Sequence, residues 1–207
     1  MRSKFDRGVA LGALLLMLAC VGLTASAQTD SSDWKEELAE NGNRYLTWSA
    51  TVPLLGKPTK INLAFQCNPE SEKDVHGTLG FDLYIHGVAA LKPFSFEDFD
   101  GPDATAGSDG RRLMALTVAR NGKPPFVLQV APNGFTPHMS NFGFGMADMS
   151  KLPTSDSRTL LKALASDDAE SLTVSITDPR NAKLKLEFTV PVAGKQADFR
   201  KLMTGLK

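Results

Sequence analysis

Apolar and polar residues alternate through the first half of the chain. Between residues 44 and 67, apolar side chains occur at every second position, at Leu46, Trp48, Ala50 and Val52 and again at Ile61, Leu63, Phe65 and Cys67. A period of two places such residues on one face of an extended strand, because successive side chains point to opposite sides. The pattern predicts two half-buried strands. The proline- and glycine-containing segment 53–58 joins them, since these residues do least harm at strand ends.

Further strands are predicted where the same alternation returns. Residues 78–86, 171–178 and 183–190 each place apolar side chains on one face. Residues 111–130 form two such runs separated by Asn121-Gly122, and this dipeptide is the strongest short-range signal for a β-hairpin. Seven or so strands are therefore expected.

Three segments have helical spacing instead. Residues 31–41 place Trp34 and Leu38 on one face after a possible Ser32 cap, while residues 155–168 and 195–207 carry longer apolar stripes. Few helices among many strands predict a mainly β fold. We expect an antiparallel β-sandwich or open barrel of about seven strands with two or three peripheral helices.

The first 27 residues have the three parts of a secretory signal. Basic residues occupy the start, an apolar run covers residues 8–19, and the small-x-small motif Ala-Ser-Ala stands at 25–27. The pattern predicts a signal peptide at residues 1–27 and a single β-rich domain at residues 28–207. The protein is then exported, to the periplasm or outside the cell.

Two other outcomes remain open for this N-terminal segment. Leu18-Ala19-Cys20 resembles a bacterial lipobox, in which the cysteine is lipidated and anchors the protein to the membrane. Residues 8–27 are also just long enough to span a bilayer as an uncleaved anchor. No second apolar run of that length follows, so we expect no transmembrane segment after signal cleavage.

Charge excludes one class of partner. The whole chain has 23 Lys and Arg and 23 Asp and Glu. Loss of the signal, with three basic residues and one acidic residue, leaves a net charge of about −2. The chain has no basic stripe and no interleaved arginine and aromatic residues, so nothing predicts nucleic-acid binding.

Candidate catalytic groups are few. After cleavage Cys67 is the sole cysteine; it shares the inward face of its strand and is expected to be a buried, inert thiol. His76 and His86 bracket one strand and cannot share a metal. His86 and Asp82 lie about 13 Å apart along that strand, too far for a hydrogen bond. Metalloprotease, nucleophile-elbow and phosphate-loop motifs are absent, and we predict a protein that is not an enzyme.

Two glycine-rich segments interrupt the alternation and are predicted to be long loops. They are residues 133–150 and residues 94–109. A loop of about 20 residues is uncommon in a compact domain unless packing or function orders it. Exposed aromatic side chains on such loops indicate a surface for a protein or envelope ligand. The predicted surface comprises the aromatic residues of both segments: Phe135, Phe142 and Phe144 from the first, and Phe96 and Phe99 from the second.

Metal binding is the alternative use of the same segments. Imidazole and thioether groups suit copper(I), and the first segment supplies His138, Met139, Met146 and Met149. Carboxylates around a glycine suit calcium, and the second supplies Asp98, Asp100 and Asp103. The calcium spacing is not that of an EF-hand loop, and no cofactor is required by the sequence.

These features favour a secreted or periplasmic, non-catalytic binding or accessory protein of the cell envelope. It is expected to contact a protein or envelope ligand through its irregular segments. A metal-handling envelope protein is the second interpretation.

Overall fold

Long antiparallel hairpins form where the alternation predicts strands. The computed structural model describes residues 33–40, 42–68, 78–100, 111–138, 140–149 and 155–204. Within them the strands are β1 (Trp34–Leu38), β2 (Arg44–Leu54), β3 (Lys57–Asn68), β4 (Thr78–His86), β5 (Met114–Arg120), β6 (Lys123–Val130), β7 (Asn133–His138), β8 (Asn141–Met149), β9 (Ala169–Thr177) and β10 (Lys185–Pro191).

Two antiparallel sheets are built from these strands. The larger has the order β1-β2-β3-β4-β8-β7, and the smaller has the order β10-β9-β5-β6. A row of inward side chains crosses the larger sheet at Trp48, Leu63, Leu83 and Phe144. All four are buried. The prediction of a mainly β, antiparallel sandwich is therefore confirmed.

The core lies between the sheets and is completed by two helices. Helix α1 is Asp156–Leu164 and helix α2 is Gln196–Thr204. The two sheets meet where the Trp48 ring stacks on Phe188, with ring centroids 6.4 Å apart. Phe199 of α2 packs edge-on against Phe65, at 5.3 Å. Both helices lie inside segments predicted as helical.

Short 3-10 turns, Val88–Leu91 and Phe96–Phe99, follow β4. The second packs against β7, whose Gly134 makes a close approach possible. A side-chain Cβ at this glycine would lie 2.5 Å from the backbone oxygen of Phe99 and 2.7 Å from the Phe142 ring. The edge strand and the second 3-10 turn are thus in direct contact.

Two predicted elements are wrong. Residues 34–38 form strand β1 rather than a helix, because Trp34 pairs with Trp48 of β2 and turns into the core while Leu38 is 69% exposed. Residues 133–149 are mainly the antiparallel pair β7 and β8 rather than a loop. With these additions the described residues contain ten strands instead of about seven.

Each sheet has two edge strands, and three of the four contain proline. Pro124 and Pro125 lie in β6, Pro137 lies in β7, and Pro191 ends β10. The fourth, β1, has five residues and carries Lys35, Glu36 and Glu37. The Trp34 indole donates a hydrogen bond of 2.7 Å to the Pro191 carbonyl, which joins the two sheets at one side.

Several sequence predictions lie outside the described residues. These are the signal peptide at 1–27 with Cys20, together with His76, Met139 and Asp103. Among the described ranges, no helix has the length and apolar character needed to cross a membrane.

Candidate binding site

Four of the five aromatic residues predicted to form an exposed surface are core residues instead. Phe96, Phe99, Phe142 and Phe144 are between 0% and 7% exposed. Their rings form one cluster, in which the centroids of Phe142 and Phe144 lie 4.9 Å apart and those of Phe99 and Phe144 lie 5.1 Å apart. Residues 142 and 144 share the inward face of β8, so the sheet itself buries them. Phe135 is half-buried on the other face.

A cleft nevertheless opens where the two predicted segments meet. It has a volume of about 420 Å³ and lies between the second 3-10 turn and the end of the β7–β8 hairpin. The floor of the cleft is formed by apolar side chains, and only their edges are accessible to solvent. The acidic cleft, as we call it, is lined by Val88, Phe96, Glu97, Asp100, Thr136, Asn141 and Phe142.

Carboxylates stand on the rim of the acidic cleft. The Thr136 hydroxyl donates a hydrogen bond of 2.5 Å to Asp100, which joins the 3-10 turn to β7. The Glu97 side chain is 66% exposed and lies 3.5 Å from Arg180. Such an exposed, long contact is weak in water. Much of the negative charge on this rim is therefore not neutralised by a close cation in the described structure.

Asp98 does not line the acidic cleft, and it has a strong partner. Its two carboxylate oxygens accept hydrogen bonds of 2.6 and 2.8 Å from the guanidinium of Arg180. Asp98 raises the pKa of Arg180 by this hydrogen bonding and by its charge. A two-point pair of this kind is geometrically specific. Both oxygens of Asp98 are thus engaged with Arg180; Asp103 lies outside the described residues, and calcium binding stays a prediction.

Of the other predicted metal ligands, only Asp100 and Met146 have described side chains. The described residues contain no group of three or more His, Cys, Asp or Glu arranged to hold a metal ion. Met146 is 9% exposed and borders a separate cleft of about 270 Å³ with Arg112 and Asp148. His138 and Met149 lie in β7 and β8, but their side chains are not described. Copper binding thus stays a prediction.

A second group of polar side chains lies on the outer face of the larger sheet. On β3 and β4 this polar strip consists of Asn62, Gln66, Asp82, Tyr84 and His86, all partly exposed. The Gln66 amide donates a hydrogen bond of 3.2 Å to Asp82 Oδ2. The Asn62 amide lies 2.9 Å from His86 Nε2. His86 and Asp82 thus each pair with a different amide and not with each other, as expected from their separation of about 13 Å along β4.

Phe135 extends across the sheet toward the polar strip. Its ring occupies the space where Gly143 lacks a side chain, since a Cβ there would lie 2.4 Å from the ring tip. The same ring meets Tyr84 edge to face, with centroids 5.7 Å apart. Phe135 is thus the one aromatic residue of the predicted surface that packs on the outside of the sheet.

Burial raises the pKa of the Asp82 carboxyl above its usual value of 3.8. The folded protein consequently binds this proton more tightly than the unfolded chain, and the resulting stabilisation is full below pH 3.8 and is lost as pH rises through the raised pKa. Asp82→Asn should remove that loss. We therefore expect the difference in free energy of unfolding, variant minus wild type, to become more positive as the pH is raised from 3 to 7.

Urea unfolding at several pH values measures this difference. Glu37→Gln, on the exposed outer face of β1, is the matched control. Its difference in free energy of unfolding from wild type should change less with pH. A flat difference for Asp82→Asn as well would show that its carboxyl is solvated like any surface group.

The Cys67 thiol is buried as predicted, at 0% exposure. Burial raises its pKa, while Arg44 and Arg158 act in the opposite direction. A thiol with a raised pKa has little thiolate at neutral pH and is a poor nucleophile.

Sequence reasoning missed the polar strip. The signal was present, because Asn62, Gln66, Asp82 and Tyr84 occupy the outward positions of strands that were predicted correctly. Outward positions of this kind are usually just solvated, so they did not indicate a site. That Gly145 of β8 lies beside Asp82 follows only from the strand order, which the sequence does not give.

Comparisons with protein-family models, with curated proteins and with solved structures found no match to this chain.

Proposed function

We propose that the protein is an exported, non-catalytic binding or accessory protein whose acidic cleft receives a basic side chain of a partner protein. The observation that carries the proposal is the combination of an apolar floor with two rim carboxylates in one cleft of about 420 Å³. A small apolar cleft with a few placed polar groups is the usual form of a binding site.

Local charge favours a cationic ligand. The described residues around the second 3-10 turn include the carboxylates of Glu97, Asp98, Asp100 and Asp178. The guanidinium of Arg180 lies among them, and that of Arg111 donates a hydrogen bond of 3.2 Å to the Pro179 carbonyl. The excess is about two negative charges. A negative potential of this kind attracts cations and slows the approach of anions.

The floor matches the stem of a basic side chain. Lysine carries four methylene groups below its ammonium, and these can lie against Val88 and the edges of Phe96 and Phe142. The ammonium then reaches Glu97 and Asp100. Aromatic rings next to a cation add a further attraction.

A pair of peptides tests this assignment. One is a capped pentapeptide with a central lysine, and the other replaces that lysine with norleucine, which keeps the stem and removes the charge. We expect the lysine peptide to bind at least about tenfold more tightly, a difference of about 1.4 kcal/mol. Isothermal titration measures the affinity of each peptide. The protein used is the form exported by its own host, and its measured mass should correspond to a chain that starts at Gln28.

The rim carboxylates supply the control. Glu97→Gln combined with Asp100→Asn should abolish the preference for lysine, whereas Glu187→Gln combined with Asp198→Asn, which removes the same charge elsewhere, should keep it. Equal affinity of the wild-type protein for the two peptides, or no binding of either, would overturn the proposal.

A further inference from the structure

We infer that the polar strip, together with Phe135 and the partly exposed backbone of Gly145, is a second binding site and that it takes a neutral, polyhydroxylated ligand of the oligosaccharide class. It lies on the outer face of the larger sheet and is independent of the acidic cleft, whose proposed ligand is a cation.

A glycine keeps the side-chain layer low between Asp82 and Phe135. The outward row across the sheet runs Thr47, Ala64, Asp82, Gly145 and Asn133, so Asp82 stands between an alanine and a glycine. A Cβ at Gly145 would lie 3.2 Å from Asp82 Oδ1 and 3.6 Å from the Phe135 ring. The glycine is therefore a floor with a carboxylate oxygen on one side and an aromatic ring on the other.

The carboxylate retains acceptor capacity. Among the described residues, the hydrogen bond recorded at Asp82 comes from Gln66 and goes to Oδ2, which leaves Oδ1 over the glycine floor. An ionised carboxylate can accept about four hydrogen bonds. Asp82 is partly exposed, so ligand hydroxyl groups can reach this oxygen and donate hydrogen bonds to it.

Hydrogen-bonding chemistry decides the ligand class. The polar strip offers carboxamides that donate and accept, a phenol, an imidazole and one carboxylate, and no lysine or arginine forms a described ion pair with Asp82. Groups that both donate and accept match hydroxyls, which also do both. An anion would meet Asp82 at close range without a compensating cation, so anionic ligands are disfavoured.

The aromatic pair provides the apolar half of the match. A pyranose ring has a face of C–H groups and a rim of hydroxyls, so it fits an aromatic ring placed beside polar groups. Tyr84 and Phe135 hold each other at 85°, and the Phe135 ring rests on Gly143. Both rings are thus fixed before a ligand arrives, which reduces the entropy lost on binding. The strip extends about 13 Å from Asp82 to His86, enough for more than one sugar unit.

Neutral hexasaccharides are the probes. Cellohexaose, chitohexaose and maltohexaose, with polygalacturonate as an anionic comparison and a neutral capped peptide as a non-sugar comparison, are titrated into the full protein while backbone amide shifts are followed by NMR. We expect at least one hexasaccharide to bind and to shift the amides of Asp82, Tyr84 and Gly145, and the comparison ligands to leave them unchanged.

Variants locate the site. Gly145→Val fills the floor and should abolish binding, and Asp82→Ala should weaken it about tenfold or more. Should Gly145→Val fail to fold, Gly145→Ala places a single methyl group in the same space. Thr51→Val, on the same sheet face but away from the floor, is the matched control and should bind as wild type does. The double variant of the acidic cleft should also bind normally, which separates the two sites.

Three results would overturn the inference. They are no binding of any neutral hexasaccharide, binding unchanged by Gly145→Val, and a preference of the polar strip for the peptide or the polygalacturonate.

Discussion

Phe144→Ala should destabilise the protein by about 3–5 kcal/mol, because it leaves a large cavity in a close-packed aromatic cluster. The side chain is 0% exposed and its ring contacts those of Phe96, Phe99 and Phe142. For a chain of this length the melting temperature should fall by roughly 6–20 °C. Thermal unfolding followed by circular dichroism gives the value.

Val127→Ala provides the matched control for the loss of an apolar side chain from a strand. Val127 is 52% exposed on β6, so its truncation should cost less than about 1 kcal/mol. If Phe144→Ala had the same melting temperature as the control, the Phe144 ring would have to be accessible to solvent. The original hypothesis of an aromatic recognition surface on β8 would then return.

Asp178→Ala should cost about 3 kcal/mol or more, since three backbone N–H groups depend on this carboxylate. Asp178 is 2% exposed. Its Oδ2 accepts a hydrogen bond of 2.6 Å from the Ser95 backbone, and its Oδ1 accepts bonds of 2.8 Å from those of Arg180 and Asn181. Hydrogen bonds to a charged acceptor are worth about 1.5–3 kcal/mol each, and their loss leaves buried donors without a partner. Urea unfolding measures the change.

Two substitutions bracket this result. Asp178→Asn keeps one acceptor oxygen and should cost less than the alanine variant. Asp167→Ala removes a carboxylate that is 91% exposed, and its effect should stay near 0.5 kcal/mol. An alanine variant at 178 that is as stable as the one at 167 would mean that the turn after β9 holds its shape without the carboxylate.

The strands that could be predicted are those whose two faces differ in polarity. In β3, Ile61, Leu63 and Phe65 alternate with polar residues, and all three are buried. Burial on one face and water on the other determine the register, so local sequence carries enough information. The apolar stripe in residues 155–168 likewise located helix α1, whose N-terminal Ser155 accepts a hydrogen bond from the Arg158 backbone.

The β7–β8 pair was missed for a physical reason. Its inward residues Phe142 and Phe144 do alternate, but the outward positions hold Gly143 and Gly145, and glycine is usually depleted in strands. At Gly143 the missing side chain is replaced by the ring of Phe135, which comes from the neighbouring strand. Such compensation depends on tertiary contact and leaves no local pattern.

The acidic cleft could be predicted in part. Both of the segments that were singled out do meet there, through the hydrogen bond between Asp100 and Thr136. The roles within it were reversed, however, since the phenylalanines form a buried floor rather than an exposed contact surface. Deciding between these roles requires knowing which strand covers which, and a single sequence does not give strand order.

The prolines on the edge strands also determine how the protein behaves toward copies of itself. A free strand edge is a template for another chain, and such pairing leads to fibrils. A chain approaching β6 meets Pro124 and Pro125, which have no N–H to offer, and one approaching β7 meets Pro137. The edge of β1 is short and charged. The described sheet edges therefore resist amyloid-like stacking, which would help the protein to stay dispersed at high concentration.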